Sequence, residues 1–430
     1  MKVGVLGLWH LGSVTAACTA AAGIPSIGVD DDALLVADLA RGKPPLEEPG
    51  LAELIRSGLQ AGRLSFSSDR RALGEVDVLW VCYDTPVDDE DRADVGSVLR
   101  GVESCFAHLK DGAVVLVSSQ LPVGSVARLE KAFASSATGR KVRFACSPEN
   151  LRLGRAIEVF RQPGRIICGV RDDDARAVLE PLLSRFCQNL IWMSVESAEM
   201  VKHALNAFLA TSITFINEIA MICERVDADA AEVAAGLRSD PRIGPNAYVN
   251  AGPAFAGGTL ARDVRFLRDL AGLHGLKVPI IDGILDSNRS HGRWAFTQLR
   301  RHLDDLATRT VAVLGLAYKP GTSTLRRSSS IELVRELLQE GASVRTFDPQ
   351  VTALPDDLAG RVVLAPSARA AARGAHALVV ATEWPEFRQL SPDDVAGEMI
   401  GRLVLDPGRF LGPDFARDPR FSLICVGRVS

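Results

Sequence analysis

Residues 310–321 read TVAVLGLAYKPG, and residues 3–8 read VGVLGL. Each is a short apolar run closed by Gly-Leu, the pattern of a buried parallel strand running into a tight turn. The echo continues downstream. IPSIGVDDD (24–32) is matched by ASVRTFDP (342–349), so Asp348 stands where Asp30 stands. A strand–turn–helix–strand unit that recurs at the two ends of one chain predicts two Rossmann-like halves. The fold class expected is α/β, with two doubly wound parallel-sheet domains.

Working outward, LSFSSD (64–69), VDVLWVCYDTP (76–86), AVVLVSSQLPVG (113–124) and VRFACSPEN (142–150) continue the first alternation, and RIICGV (165–170) with NLIWMS (189–194) close it. Several of these strands end in small polar residues and proline, at Asp84-Thr85-Pro86, Ser119-Gln120-Leu121-Pro122 and Ser147-Pro148-Glu149. Ligands of open α/β sheets gather at such carboxyl ends. HALVVATEW (376–384) and RLVLDPGRF (402–410) extend the second half.

Between the halves lies SAEMVKHALNAFLATSITFINEIAMICER (197–225), which holds neither Gly nor Pro and predicts one long helix. It has almost no polar face, so burial is expected. Lys202 and Asn206 sit one turn apart on it, with Asn217 further along the same stripe. An ammonium and an amide on a buried helix need partners or a cavity. The plain alternative pairs Lys202 with Glu199 and lets it reach water. A short helix is expected near 229–237 and a largely helical stretch from about 259 to 303, broken or bent by Pro279, Gly283 and Gly292. The domains expected are 1–194, a central all-helical part 195–305, and 306–430. Each half should hold a ligand, with the reactive ends meeting at the middle helix.

The first turn reads Gly7-Leu8-Trp9-His10-Leu11-Gly12, before a helix from about Ser13 to Ala22. Glycines here let backbone N–H groups and the helix N-terminus meet a pyrophosphate, and Asp30 takes ribose hydroxyls while repelling a 2′-phosphate. NAD is therefore the expected cofactor. Trp9 replaces the middle glycine, so its side chain must point away or the cofactor must shift. His10 either donates to the diphosphate, caps the helix, or packs beside Trp9.

The chain has 430 residues, 47% of them hydrophobic and 24% charged, and a net charge of −4, which recruits neither nucleic acid nor an anionic membrane. No apolar run is read as membrane-spanning. The eight cysteines are scattered, with no zinc spacing, and the seven histidines show no ligand pattern, so no metal is expected. A cytoplasmic protein with reduced thiols is the simplest expectation.

PPLEEPGL (44–51), the Thr85-Pro86 strand end, LPVG (121–124), SPENLRLGRAI (147–157), SAEMVKHALNAFLATSITFINEIA (197–220), DPRIG (240–244), GGTLARD (257–263), VAVLGLAYKPGT (311–322) and TEWPEF (382–387) together resemble the UDP-glucose/GDP-mannose dehydrogenase family, in the family's order and over nearly the whole chain. The resemblance implies an NAD domain, a helical dimerisation domain and a nucleotide-sugar domain, hence a homodimer. It implies oxidation of a sugar C6 hydroxymethyl to a carboxylate by two hydride transfers to NAD, the second through a thioester on a Cys. Polysaccharide synthesis is a natural setting.

Carried over residue by residue, Lys202 and Asn206 hold the reacting oxygen, and Asp263 holds the water and proton network. Arg262 stands where the family has Lys. Gly7, His10, Leu11, Gly12, Asp30, Thr85, Gln120, Glu149, Arg262 and Arg326 fall at cofactor positions. Glu149, Asn150, Leu151, Lys202, Asn206, Arg242, Tyr248, Gly257 and Lys319 fall at nucleotide-sugar positions. The residues of the second oxidation are absent. GGTLARD departs from the family's GGxCxPKD, leaving Thr259 in the segment of the nucleophile; Gln120 replaces a Thr, and Leu153 a Glu. A hydroxyl needs a neighbouring base where a thiol does not. The expectation is a dehydrogenase that stops at the aldehyde after one hydride. Alternatives are full oxidation without covalent capture, transient oxidation with epimerisation, and a non-catalytic binding protein. A β-hydroxyacid dehydrogenase shares the NAD domain and the Lys/Asn helix but lacks the second Rossmann-like half. Cys146, beside Ser147-Pro148-Glu149, is the one candidate substitute thiol.

Overall fold

A computed structural model describes residues 1–86, 93–136, 138–149 and 151–428. The chain divides into two compact units, Met1–Ala204 and Leu205–Ser430.

In the first unit the strands are β1 (Val3–Leu6), β2 (Ser26–Val29), β3 (Leu64–Ser67), β4 (Val78–Val81), β5 (Val114–Val117), β6 (Arg143–Cys146), β7 (Ile166–Gly169) and β8 (Leu190–Met193). Their order is β3-β2-β1-β4-β5-β6-β7-β8. The strands VGVL, VLWV and VVLV are buried along their whole length, as helices on both faces of a parallel sheet require. The order of winding reverses between β1 and β4, neighbours that run parallel with Val3 opposite Val78. One step departs from the parallel pattern: β7 meets β6 antiparallel through Cys146 and Gly169. The covering helices are α1 (His10–Ala21), α2 (Ala33–Ala40), α3 (Leu51–Gln60), α4 (Val95–Glu103), α5 (Ser125–Ala134), α6 (Ala156–Arg161) and α7 (Asp173–Leu183). The first helix starts three residues earlier than the glycine turn suggests, because Gly7 alone takes the left-handed conformation (φ +86°) and the chain enters the helix at once.

The long helix α8 (Val195–Cys223) begins in this unit and continues into the second. Two expectations about it are corrected. By length and composition it is apolar enough to cross a membrane, with mean hydropathy 1.4 over its most apolar 18 residues, of which 44% are buried. Nor is it buried all round, since Phe208 and Ile222 are 69% and 58% exposed. Its inward polar groups have protein partners: Asn217 Oδ1 accepts the Gly252 N–H at 3.0 Å, and the Thr214 hydroxyl donates to the Ala210 carbonyl.

In the second unit α9 (Ala230–Ser239), α10 (Thr259–Leu273), α11 (Pro279–Gly292) and α12 (Trp294–His302) follow. The helical stretch breaks before Pro279 and after Gly292, while Gly283 stays inside α11. The second sheet contains β9 (Thr310–Leu314), β10 (Ser343–Phe347), β11 (Val363–Leu364), β12 (Ala377–Val380), β13 (Leu403–Leu405) and β14 (Ser422–Ile424), in the order β11-β10-β9-β12-β13-β14, all parallel. It repeats the plan of the first sheet around β1, and α13 (Ser329–Gln339) packs on it.

Candidate active site

In the first unit the predicted cofactor residues collect at the carboxyl edge of the sheet. Gly7 follows β1, Asp30 follows β2, Thr85 lies beyond β4, Gln120 beyond β5 and Glu149 beyond β6. The turn after β1 is shaped for a close approach. A Cβ on Gly12 would lie 1.7 Å from the Gly7 carbonyl oxygen, and one on Gly7 would strike the Tyr83 ring. Trp9, the residue at the N-cap of α1, makes no capping hydrogen bond, and its side chain is turned outward, 48% exposed. Leu11 is buried beneath. Asp30 accepts the Leu8 N–H at 2.7 Å through one oxygen and the Asp32 N–H at 3.0 Å through the other, which joins the turn after β1 to the end of β2. Thr85 donates to the Gln120 carbonyl at 2.7 Å. Uncapped N–H groups, a glycine cradle and a half-exposed terminal acid fit a dinucleotide with free ribose hydroxyls.

The second half differs at the equivalent acid. Asp348 Oδ2 accepts from Leu316 N, Ala317 N and Trp384 Nε1, and Oδ1 from Gln350 N and Val351 N. It is 4% exposed, so its lone pairs are committed to the fold. The fingerprint echo in sequence is therefore a shared scaffold and not a second ribose clamp.

Lys202 does not pair with Glu199. Its ammonium donates to the Glu149 carbonyl at 2.6 Å and lies 3.6 Å from the Glu149 carboxylate, with its side chain 11% exposed. Glu199 instead accepts from Gly124 N and Val126 N at the start of α5. Burial pushes its carboxyl above the usual range. His203 bonds the Leu121 carbonyl at 2.9 Å. Glu149 Oε2 also accepts the Leu151 N–H at 2.5 Å. Asn150 lies outside the described residues.

In the second unit Asn206 donates through Nδ2 to Asp263, which is fully buried on α10. Thr259 is the first residue of α10 and is exposed; among the described residues no side chain hydrogen-bonds its hydroxyl. Gly257 takes φ +75°, and a Cβ there would press on the Tyr318 ring, beside which Lys319 sits 5.5 Å from the ring centroid. Arg262 is half-buried and Arg326 exposed. Arg242 and Tyr248 are not gathered with these groups. Arg242 is exposed and held by Asp240 at 2.7 Å, and Tyr248 is exposed as well.

Two further findings concern groups that sequence reading left open. Cys146 is 5% exposed, and burial, with Glu199 nearby, holds its thiol well above the ordinary value, which disfavours the thiolate a substitute nucleophile needs. The His10 Nε2 lies 3.0 Å from Glu48. Glu48 was missed because no spacing links it to the glycine turn. Its signals were a pair of acids in a proline-rich loop and its place in PPLEEPGL (44–51), one of the stretches that carry the resemblance.

Comparison with known proteins agrees with this architecture. Residues 1–187 match the NAD binding domain of the UDP-glucose/GDP-mannose dehydrogenase family, 196–290 its central domain and 312–413 its UDP binding domain. A UDP-glucose 6-dehydrogenase of Pseudomonas aeruginosa is 35% identical over 443 residues, covering 100% of this chain and 98% of that protein. One from Rhizobium meliloti is 33% identical over the full length of both. The solved UDP-glucose dehydrogenase of Pyrobaculum islandicum superposes with a TM-score of 0.87 at 30% identity, covering 100% of this chain and 98% of that one. The chain thus belongs to the UDP-glucose/GDP-mannose dehydrogenase family and is an NAD-dependent oxidoreductase acting on CH–OH groups.

Proposed function

We propose that the chain oxidises the C6 hydroxymethyl of a UDP-hexose and stops at the 6-aldehyde. The observation that carries the reading is Thr259, an exposed hydroxyl at the first turn of α10 where the family pattern has a thiol. With no base on that hydroxyl, covalent capture of the aldehyde has no nucleophile. Bound NAD supplies the hydride acceptor. Lys202, aimed inward by Glu149, stabilises the alkoxide as the C6 hydroxyl loses its proton. Asn206 orients that oxygen, and Asp263, through water, receives the proton. The alcohol thus yields aldehyde, NADH and one proton.

The match to a UDP binding domain and the names of the relatives make UDP-glucose the first substrate to test. In this reading residues 1–194 bind NAD, 195–305 form the dimerisation part and 306–430 bind the nucleotide sugar. A homodimer is supported by Phe208, Phe215 and Ile222, exposed apolar residues seven apart along α8. The test is product analysis by mass spectrometry with NADH quantified. One NADH per aldehyde (or its hydrate) supports the reading; uronic acid with two NADH defeats it.

A further inference from the structure

We propose that Glu48 is a positioning residue for the cofactor, joining the phosphate turn to the loop that holds Lys202. The Glu48 carboxylate is 1% exposed. Its Oε2 accepts from the His10 imidazole at 3.0 Å and from Gly154 N at 2.8 Å, and its Oε1 accepts from Ala156 N at 2.8 Å. A buried carboxylate requires such partners, and three donors converge on it here. They come from two places with different duties. His10 opens α1, whose N-terminus faces the diphosphate position. Gly154 and Ala156 end the loop that starts at Glu149, the residue whose carbonyl receives the Lys202 ammonium.

Glu48 itself sits on a loop ahead of α3, pinned by its own carbonyl to Leu51 N at 3.0 Å. The carboxylate therefore fixes the imidazole at the start of α1. It also ties Gly154 and Ala156, through His10, to the turn after β1. The link to Lys202 rests on the proposed function, whereas the link to NAD does not.

The test is NAD binding by isothermal titration calorimetry, without sugar substrate. Glu48→Gln places an amide N–H against existing donors and is expected to weaken NAD binding about tenfold, the loss of one charge-assisted hydrogen bond. His10→Ala is expected to do the same, and the double variant to bind no worse than the weaker single one. Additive losses, or unchanged affinity in Glu48→Gln with only a lowered melting temperature, overturn the proposal. If Glu48→Gln does not fold, His10→Gln decides. Its side-chain N–H reaches Glu48, so it must recover the affinity lost in His10→Ala, and failure to recover it overturns the proposal. These readouts involve no turnover, so they stand apart from the fate of the aldehyde reading.

Discussion

The ammonium of Lys202 lies 2.6 Å from the carbonyl of Glu149, a residue 53 positions earlier in the chain. The nearer acid, Glu199, is one turn away on α8 but is spent on the N-terminus of α5. The two acids divide the labour. Glu199 ties α8 to the start of α5, and Glu149 holds the cation. A charge held this way, with 11% of its side chain exposed, is the one that the proposed function sets against an oxygen becoming negative. Lys202→Met keeps the length of the side chain and removes the charge. It is expected to lower kcat by about 10²–10³-fold with NAD affinity retained, the usual loss for a transition-state charge stabiliser. NADH formation at saturating substrate, with calorimetric NAD binding as control, checks it.

Cofactor choice turns on Asp30. Its two oxygens are shared between the Leu8 and Asp32 N–H groups, and it remains half exposed with Asp31 paired to Arg70 beside it. A 2′-phosphate there meets like charge. Asp30→Ser is expected to weaken NAD binding about tenfold, as one charge-assisted hydrogen bond is lost, and to make NADP binding measurable. Parallel titrations of the two cofactors decide the outcome; an Asp30→Ser protein that still excludes NADP contradicts it.

Asp406 offers a pH test. Burial raises its carboxyl above the ordinary value, and its Oδ1 has no partner among the described residues. A carboxyl raised in the folded state contributes stability below its unfolded pKa, and that contribution disappears as pH rises through the folded pKa. The native protein should therefore lose stability from just above the normal carboxylate range upward. Asp406→Asn retains an acceptor for the Leu411 N–H and carries no charge. Its melting temperature, relative to the native protein, should rise more at pH 8 than at pH 4. An equal difference at both values contradicts the assignment.

Much of this architecture is legible in the sequence because buried parallel strands are short apolar runs, and runs such as VGVL and VVLV admit little else. The glycine turn and Asp30 are legible for the same reason: close backbone approach demands particular residues at fixed spacing. Long-range partnerships are not. Glu48 lies 38 residues from His10 and 106 from Gly154, and no local rule joins them. Asp348 marks where the repeat stops being a guide to the chemistry. It occupies the place of Asp30 in the repeat, yet Trp384, 36 residues on, fills the lone pairs a ribose needs. Helix α8 reads as wholly buried because composition reports apolarity and not which face a neighbour covers.

That uncovered face leads to a prediction about assembly. Phe208 and Phe215 are two turns apart, 69% and 47% exposed, and Ile222 extends the row. In the homodimer proposed above, this row would be covered by a second copy of the same helix. Light scattering should give the native chain twice the monomer mass, and Phe208→Asp with Phe215→Asp the monomer mass. Native protein that is monomeric at micromolar concentration rules the dimer out.

Thr259 allows the aldehyde reading to be inverted. The residue is exposed at the first position of α10, a helix start whose N–H groups favour an anion. A thiol placed there has its thiolate stabilised by the same field, whereas the native hydroxyl is hydrogen-bonded by no basic side chain among the described residues. Thr259→Cys should therefore trap the C6 aldehyde as a thiohemiacetal. A second hydride loss to NAD would then give a thioester, which water cleaves to the acid. Gln120 and Leu153 remain in place of the residues the family pattern uses for that hydrolysis, so the thioester should persist. Intact-protein mass spectrometry of the variant after turnover should find the substrate-sized adduct, and hydroxylamine should release it. Thr259→Cys with Gln120→Thr and Leu153→Glu should then release uronic acid at two NADH per product. Uronic acid already formed by the native chain would remove the premise, and a Thr259→Cys protein that carries no adduct would place the block elsewhere than at the missing sulfur.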